Sequence, residues 1–233
     1  MRGIYVVGGY PDRERFRKCI DAVDRAGFDF IEIGLPFSEP VADGPVIASA
    51  AARVINKGIA THQILSDLKL FRDRRIRKYI MTYSNIILGY GPERFSREMS
   101  GILKGIIIAD LPNRLHGFFY KRGLKIPIVS FVTPESRTAD IKSLKKTKSP
   151  FIYFIGIRGI TGTSVNLASR EIPEIVKKVK RNTGKPVILG FGIKTRQDAV
   201  HACRIADGFV VGTAAVRFQP YPAKYQQFLS QIK

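Results

Sequence analysis

The strongest constraint on the fold of this 233-residue chain is a regular alternation of short apolar runs with amphipathic helical patterns. Each apolar run has the length and β-branched content of a buried parallel strand, and each is followed by a helical pattern. Glycine and proline separate the units, without a linker or a break in composition. We predict strands at residues 4–8, 30–34, 79–83, 105–110, 126–132, 151–156, 187–192 and 209–212.

Eight strand–helix units in a chain of this length predict one (β/α)8 TIM barrel, a single domain spanning residues 1–233. Doubly wound sheets share the alternation but rarely contain eight units in so short a chain.

Glycine is expected to end the first helix at Gly27, and Thr61, Thr138 and Ser169 are expected to cap later helices. The predicted helices cover residues 11–26, 46–56, 61–74, 92–100, 114–122 and 195–205, with others beginning near 138, 169 and 213 and a last one ending near 232.

Glu32 lies inside the second apolar run, where an ionised and unpaired carboxylate would be very costly. The following residues contain two prolines four positions apart, so they form a loop, which carries a second carboxylate, Asp43, towards the strand end. A strand carboxylate and a loop carboxylate in this arrangement are a candidate acid–base pair. The alternative is that Glu32 faces solvent and that Asp43 caps the helix starting at Pro45.

Three glycine-rich turns follow the last three predicted strands, at residues 159–162, 190–193 and 212–215. Active sites of (β/α)8 barrels lie at the C-terminal ends of the strands, and phosphate is often held there after strands seven and eight. Glycine lets backbone N–H groups approach phosphate oxygens, and the helix beginning near Thr213 adds a favourable dipole. The turns therefore predict a phosphate site.

The net charge of +20 is compatible with an anionic substrate, an anionic partner or nucleic acid. Lys and Arg are scattered along the helical stretches without a row of exposed aromatic residues, so we expect solvated helix faces and no nucleic acid.

No apolar run approaches the ~20 residues that span a bilayer, so no membrane association is expected. Cys19 and Cys203 form no metal-like pair; we predict no metal and, without a signal-peptide pattern, a cytoplasmic location.

Several of these motifs together resemble the α subunit family of tryptophan synthase. The resemblance covers nearly the whole chain and is most specific at residues 31–45, IEIGLPFSEPVADGP, which differ at one position from the family signature E-x-G-x-P-F-S-D-P-x-A-D-G-P. The other matching motifs are GGYPD at 8–12, a turn at Tyr83-Ser84-Asn85, ADLP at 109–112, GITG at 159–162, GFGI at 190–193 and VGTA at 211–214. The resemblance implies retro-aldol cleavage of indole-3-glycerol phosphate to indole and glyceraldehyde 3-phosphate, in the last steps of L-tryptophan biosynthesis.

The resemblance also implies roles for individual residues. Glu32 would protonate the indole ring carbon and assist proton removal from the side-chain hydroxyl, while Asp43 would accept a hydrogen bond from the indole N–H. Residues 157–166 would form a lid, in which Thr161 meets Asp43. The implied indole slot is Tyr5, Tyr83, Ala109 and Phe191, with Tyr153 as a further lining residue or a core aromatic, and the implied phosphate ligands are Gly162, Gly192, Gly212 and Thr213.

The resemblance implies a partner as well. The family works as an α2β2 complex in which the β subunit carries pyridoxal phosphate and receives indole through a tunnel, so no cofactor is expected in this chain. The docking surface is expected on the loop face around Pro36, Glu39, Asn85, Asp110 and Pro112.

The sequence departs from the family pattern in three places. Glu39 replaces the usual Asp of the signature, which bears on subunit contact more than on chemistry. Thr213 replaces the usual Ser and keeps the hydroxyl. The first predicted strand lacks the usual preceding helix, so the bottom of the barrel is either open or covered by something else.

Three other functions are compatible with parts of the pattern. A sugar-phosphate isomerase or epimerase would share the barrel and the phosphate turns, but not the long signature around Glu32 and Asp43. A non-catalytic regulatory subunit would keep both carboxylates for shape alone. A nucleic-acid binder would account for the charge alone.

Overall fold

The computed structural model describes residues 1–158, 163–164 and 169–233, with backbone only at 157–158 and 163–164. Eight parallel strands form one sheet: Arg2–Val7 (β1), Phe30–Gly34 (β2), Arg77–Thr82 (β3), Leu103–Ile108 (β4), Ser130–Val132 (β5), Ile152–Phe154 (β6), Val187–Leu189 (β9) and Gly208–Val211 (β10). Two further short strands, Ile157–Arg158 (β7) and Thr163–Ser164 (β8), pair antiparallel outside it.

Helices alternate with the strands along the chain and pack around the sheet. They are Arg13–Arg25 (α1), Pro45–Asn56 (α2), Thr61–Lys69 (α3), Ser84–Tyr90 (α4), Pro92–Met99 (α5), His116–Lys121 (α6), Thr138–Ser143 (α7), Glu171–Thr183 (α8), Arg196–Ile205 (α9), Thr213–Phe218 (α10) and Pro222–Ile232 (α11). None of the helices in the described part of the chain is long and apolar enough to cross a membrane.

The sheet closes into a barrel. Its strand order is β4-β3-β2-β1-β10-β9-β6-β5. Ile106 of β4 closes the remaining gap, because its N–H donates to the Pro127 carbonyl at 2.9 Å and its carbonyl accepts from Val129 N–H at 2.8 Å. The predicted (β/α)8 TIM barrel is therefore confirmed, and the first element of the described residues is β1, which begins at Arg2.

Helix α1 illustrates how local sequence sets these elements. Asp12 is its N-cap and accepts a hydrogen bond from Arg15 N–H at 2.8 Å. Phe16, Ile20 and Val23 recur on one face and are buried against the barrel. The helix ends before Gly27, whose φ of +74° favours glycine, as predicted.

The lower half of the barrel interior is filled by an aromatic layer, formed by Phe30, Tyr79 and Phe151, whose side chains are at most 2% exposed. The ring of Phe151 lies 5.2 Å from that of Tyr79 and 6.0 Å from that of Phe30. Gly3 leaves room for this layer, because a Cβ there would lie 2.3 Å from the Phe30 ring. Large rings opposite a small residue thus close the interior below the strand ends.

Some helix boundaries differ from the sequence prediction. The segment at Tyr83-Ser84-Asn85 was expected to be a turn, but Ser84 begins the helix α4, and Tyr83 is its N-cap. Thr61 and Thr138 are the first helical residues of α3 and α7 rather than their caps. Boundaries of this kind depend on how each helix packs, which a single-residue preference does not specify.

We predict that Phe151→Ala lowers the free energy of unfolding by about 3–5 kcal/mol, because a fully buried ring in the aromatic layer leaves a cavity. Urea unfolding followed by circular dichroism measures the loss. Phe118→Ala is the matched control, since Phe118 is 40% exposed, and should cost about 1 kcal/mol or less. Equal losses in the two variants would contradict the role given to the layer.

Candidate active site

Glu32 lies in the middle of β2, paired in register with Tyr5 of β1 on one side and Tyr79 of β3 on the other. Its side chain is 0% exposed. The alternative in which Glu32 faces solvent is therefore wrong. A carboxyl group in this position is either paired or protonated, because water does not solvate it.

Tyr153 of β6 provides that partner from the opposite wall. Its hydroxyl donates a hydrogen bond to Glu32 Oε2 at 3.2 Å. Strands β2 and β6 are separated by β1, β10 and β9 in the sheet, so this bond crosses the barrel interior. Among the described residues, Glu32 Oε1 has no hydrogen-bond partner. One carboxyl oxygen is thus hydrogen-bonded to Tyr153, and the other is buried without a partner among the described residues.

The environment of Glu32 strongly favours its neutral form. Burial raises the pKa of this carboxyl to about 8, and the hydrogen bond from Tyr153 opposes the rise. At neutral pH the group therefore retains its proton and is suited to donate it to a substrate, as a general acid should.

Asp43 lies on the loop that follows β2 and is half-buried. The N-cap of α2 is Gly44, and the helix has no side-chain capping bond, so the alternative in which Asp43 caps this helix is wrong. Burial raises the pKa of Asp43, while a hydrogen bond from Tyr83 opposes that rise. The two carboxyl groups thus occupy different surroundings.

Tyr83, at the end of β3, holds the Asp43 loop in place. Its hydroxyl accepts a hydrogen bond from Ala42 N–H at 3.1 Å, and its ring stacks on Phe37 at 4.9 Å. Since Tyr83 also bonds Asp43 itself, one tyrosine positions both the loop backbone and its carboxylate.

Tyr5 lies near both carboxyl groups. It is 5% exposed, and burial together with the charges of Asp43 and Glu32 raises the pKa of its hydroxyl well above the usual value. A Cβ at Gly34 would lie 1.9 Å from that hydroxyl, so glycine is required beside it. The sequence prediction that Tyr5, Glu32 and Asp43 share one site is consistent with this geometry.

Aromatic rings and glycines form the wall around β6 and β9. A Cβ at Gly190 would lie 1.9 Å from the Tyr153 ring, and one at Gly156 would lie 2.3 Å from the Phe191 ring. Phe191 packs edge-on against Phe154 with ring centres 5.7 Å apart. The two glycines therefore create the space that Tyr153 and Phe191 occupy.

Three of the predicted phosphate residues, Gly192, Gly212 and Thr213, lie at neighbouring strand ends. Gly192 follows β9 with a φ of +77°, and Gly212 follows β10 as the N-cap of α10, with Thr213 exposed as its first residue. Because β9 and β10 are adjacent parallel strands, both turns lie side by side at the same end of the barrel. Ala109 follows β4 at that end, where its N–H donates to the Thr82 carbonyl at 2.8 Å.

Two predicted site residues, Thr161 and Gly162, lie outside the described residues. Most of the predicted lid at 157–166 also lies outside the described residues; only the backbone of β7 and β8 is described. The contact between Thr161 and Asp43 stays a prediction.

Sequence reasoning missed two aromatic side chains that support the site. Phe131 of β5 contacts the Tyr153 ring edge-on at 5.8 Å, and Phe37 stacks on Tyr83. Phe131 could have been found from its place in the fifth predicted strand, but its partner lies on another strand. In the described part of the chain no group of three His, Cys, Asp or Glu residues could hold a metal ion.

Comparison with known proteins identifies the family. The family model for the tryptophan synthase alpha chain matches residues 4–227. The tryptophan synthase alpha chain of Thermotoga petrophila is 36% identical over 223 residues, covering 93% of this chain and 90% of that protein.

Solved structures agree with this match. Tryptophan synthase subunit alpha from Campylobacter jejuni is 28% identical with a TM-score of 0.87, covering 100% of this chain and 95% of that chain. A structure of Mycobacterium tuberculosis tryptophan synthase is 26% identical with a TM-score of 0.88, covering 99% and 90% of the two chains. The chain therefore belongs to the tryptophan synthase alpha chain family, the lyases that cleave indole-3-glycerol phosphate without a cofactor of their own, pyridoxal phosphate being bound by the β subunit.

Proposed function

We propose that Glu32 and Asp43 are the catalytic residues with which this chain cleaves indole-3-glycerol phosphate to indole and glyceraldehyde 3-phosphate. The observation that carries the proposal is the buried Glu32 carboxyl, bonded through Oε2 to Tyr153 and without a partner at Oε1 among the described residues. A pKa raised by burial keeps a proton on this group at neutral pH.

In the proposed step, Glu32 transfers its proton to the indole ring carbon that carries the side chain. The ring then bears positive charge at nitrogen, and Asp43 accepts the hydrogen bond from that N–H. The resulting Glu32 carboxylate takes the proton of the side-chain hydroxyl as the carbon–carbon bond breaks. The bonding electrons return to the ring to give indole, and the hydroxyl carbon becomes the aldehyde of glyceraldehyde 3-phosphate. Both carboxyl groups end in their starting protonation states.

The different surroundings of the two carboxyl groups suit these different roles. Glu32 is enclosed by the barrel and is stabilised in its neutral form. Asp43 is half-buried; burial raises its pKa, and the hydrogen bond donated by Tyr83 opposes that rise. Pairs of carboxyl groups in unequal surroundings commonly divide acid and charge-stabilising roles.

We further propose where the substrate binds. The indole ring would lie between aromatic and small side chains at the strand ends, and the phosphate would meet the backbone of the turns after β9 and β10. The proposed indole residues are Tyr5, Tyr83, Ala109, Tyr153 and Phe191, and the proposed phosphate residues are Gly192, Gly212 and Thr213, with Gly162 and Thr161 from the predicted lid.

We propose that the chain docks to a tryptophan synthase β subunit in an α2β2 complex through the loop face predicted from the sequence. In support, Glu39, Asn85, Asp110 and Pro112 are exposed, and Pro36 is half-buried. Ser84 N–H donates to Asp110 Oδ1 at 2.8 Å, so two of these loops are held together in the single chain. A surface that is already ordered costs less entropy to dock.

Glu32→Gln should lower the rate of indole release by about 10²–10⁴-fold, because the amide has nearly the same shape but transfers no proton. Release of indole from indole-3-glycerol phosphate, with and without a β subunit, is the measurement. Glu135→Gln is the matched control, since Glu135 is exposed. A rate in Glu32→Gln within twofold of the Glu135→Gln rate would overturn the assignment.

The same variant tests the protonation state through stability. A folded-state pKa of about 8, above the usual 4.5, means that the folded protein holds a proton which the unfolded chain releases between these values. The free energy of unfolding of the unmodified protein should therefore fall relative to Glu32→Gln as pH rises from 4.5 to 8. A difference that stays constant over this range would show that Glu32 has an ordinary pKa.

Tyr153→Phe should shift the alkaline limb of the kcat/KM profile upwards by about one pH unit, because it removes a hydrogen bond that favours ionised Glu32. Initial rates between pH 6 and 10 measure the shift. Tyr90→Phe is the control, since it removes a similar tyrosine–carboxylate bond, to Glu98, on an outer helix. A limb that stays in place, or moves to lower pH, would argue against the Tyr153–Glu32 bond acting in catalysis.

Asn85→Arg should weaken association with a β subunit by about tenfold, since a long charged side chain would have to be accommodated in the interface. Analytical ultracentrifugation or calorimetry measures the affinity, and the thermal midpoint checks folding. Gln227→Arg adds the same charge on α11, away from the proposed face, and should leave the affinity unchanged. Equal affinities for the two variants would place the interface elsewhere.

A further inference from the structure

A second concave site lies outside the barrel, where the loop after β1, the end of α2 and the connection from α10 to α11 meet. Its cavity has a volume of about 470 Å³. Three cations line it, Arg53, Lys57 and Arg217, together with the rings of Tyr10 and Tyr221. We call this site the basic pocket. It shares no residue with the candidate active site, although Arg217 lies on the same helix as Thr213.

No carboxylate of the described residues neutralises the cations of the basic pocket. Within the described part of the chain, none of the three forms an ion pair, and no carboxylate lines the cavity. The acidic neighbour along the chain, Asp12, accepts a hydrogen bond from Arg15 N–H and caps α1 instead. Like charges that converge in a concave site repel one another and attract an anion.

Two of the cations are anchored on the β1 loop. Lys57 Nζ donates to the Pro11 carbonyl at 2.7 Å, and Arg53 lies 3.5 Å from the Tyr10 hydroxyl. Tyr10 itself is only 7% exposed, so this wall of the basic pocket is part of the packed structure. An anion would therefore meet positive groups whose positions are already restricted, which lowers the entropic cost of binding.

The rim carries an exposed aromatic ring. Tyr221 is 56% exposed, whereas Tyr5, Tyr79, Tyr83, Tyr153 and Tyr225 are buried. Lys224 Nζ lies 5.5 Å from the centre of its ring. An aromatic ring beside a cationic cavity is suited to stack on a flat ligand whose charged groups enter the cavity.

From this arrangement we propose that the basic pocket binds a small anion in which two phosphate groups are linked through a sugar to a flat aromatic ring, the chemistry of a nucleoside diphosphate. Three cations match the charge of a diphosphate, since a terminal phosphate alone carries about −1.5 to −2 at neutral pH. The cavity volume lies within the range of about 300–1,000 Å³ of small-molecule sites. The ring stacks on Tyr221, and the phosphates lie between Lys57, Arg53 and Arg217.

The test is isothermal titration calorimetry with ADP, pyrophosphate and adenosine, in the presence of saturating glycerol 3-phosphate to occupy the phosphate turns of the barrel. ADP should bind most tightly, pyrophosphate less so and adenosine least. Lys57→Gln should weaken ADP and pyrophosphate by about tenfold, the effect of losing one charged hydrogen bond. Tyr221→Ala should weaken ADP about fivefold and leave pyrophosphate unchanged, the effect of losing one stacking contact.

The control variant is Lys146→Gln, which removes another exposed lysine, one that does not line the basic pocket, and should change neither affinity. Lys57 and Tyr221 are both exposed, so the variants should fold, and equal thermal midpoints check this. Absence of ADP binding, or equal weakening by Lys57→Gln and Lys146→Gln, would overturn the site. ADP and pyrophosphate binding equally well would overturn the proposed ligand class.

Discussion

The arrangement of the candidate site depends on the burial of a single carboxyl group, that of Glu32. A buried carboxyl group requires a hydrogen-bond partner, and that partner requires space inside the barrel. A charged carboxylate in an apolar barrel is very unfavourable, so the group is held neutral and bonded to Tyr153 across the interior. That bond requires a large ring on β6 and a small residue beside it, which Gly190 supplies. The aromatic layer of Phe30, Tyr79 and Phe151 fills the space below and keeps the carboxyl in a low-dielectric environment.

The second carboxyl group depends on a different kind of support. Asp43 stands on a loop rather than on a strand, and its position relies on Tyr83, which bonds the loop backbone, and on Phe37, which stacks on that tyrosine. The site therefore combines a carboxyl group on a strand with a carboxyl group on a loop that aromatic side chains support. Division of this kind is common where catalytic residues stand on loops positioned by a barrel.

The cations that give the net charge of +20 do not lie at the candidate active site. The candidate active site holds neutral or acidic groups, whereas many exposed cations lie on outer helices and in the basic pocket. Screening over a Debye length of about 8 Å limits the reach of exposed charges, so scattered lysines contribute little to binding at a distance. Several cations that converge in a concave site can together attract an anion. The basic pocket is such a site.

The sequence by itself determined the fold class and the bounds of β2 at residues 30–34. It also determined that the first helix ends before Gly27, and it contained the motifs that indicate the family. These follow from local periodicity, backbone preference and residue spacing, which are properties of short segments. Only the tertiary structure decided that Glu32 is buried rather than solvent-facing, that Tyr153 is its partner and that Asp43 does not cap α2. Those outcomes join residues on different strands and loops, and which side chains meet across a closed barrel depends on strand order and stagger, which no single segment encodes.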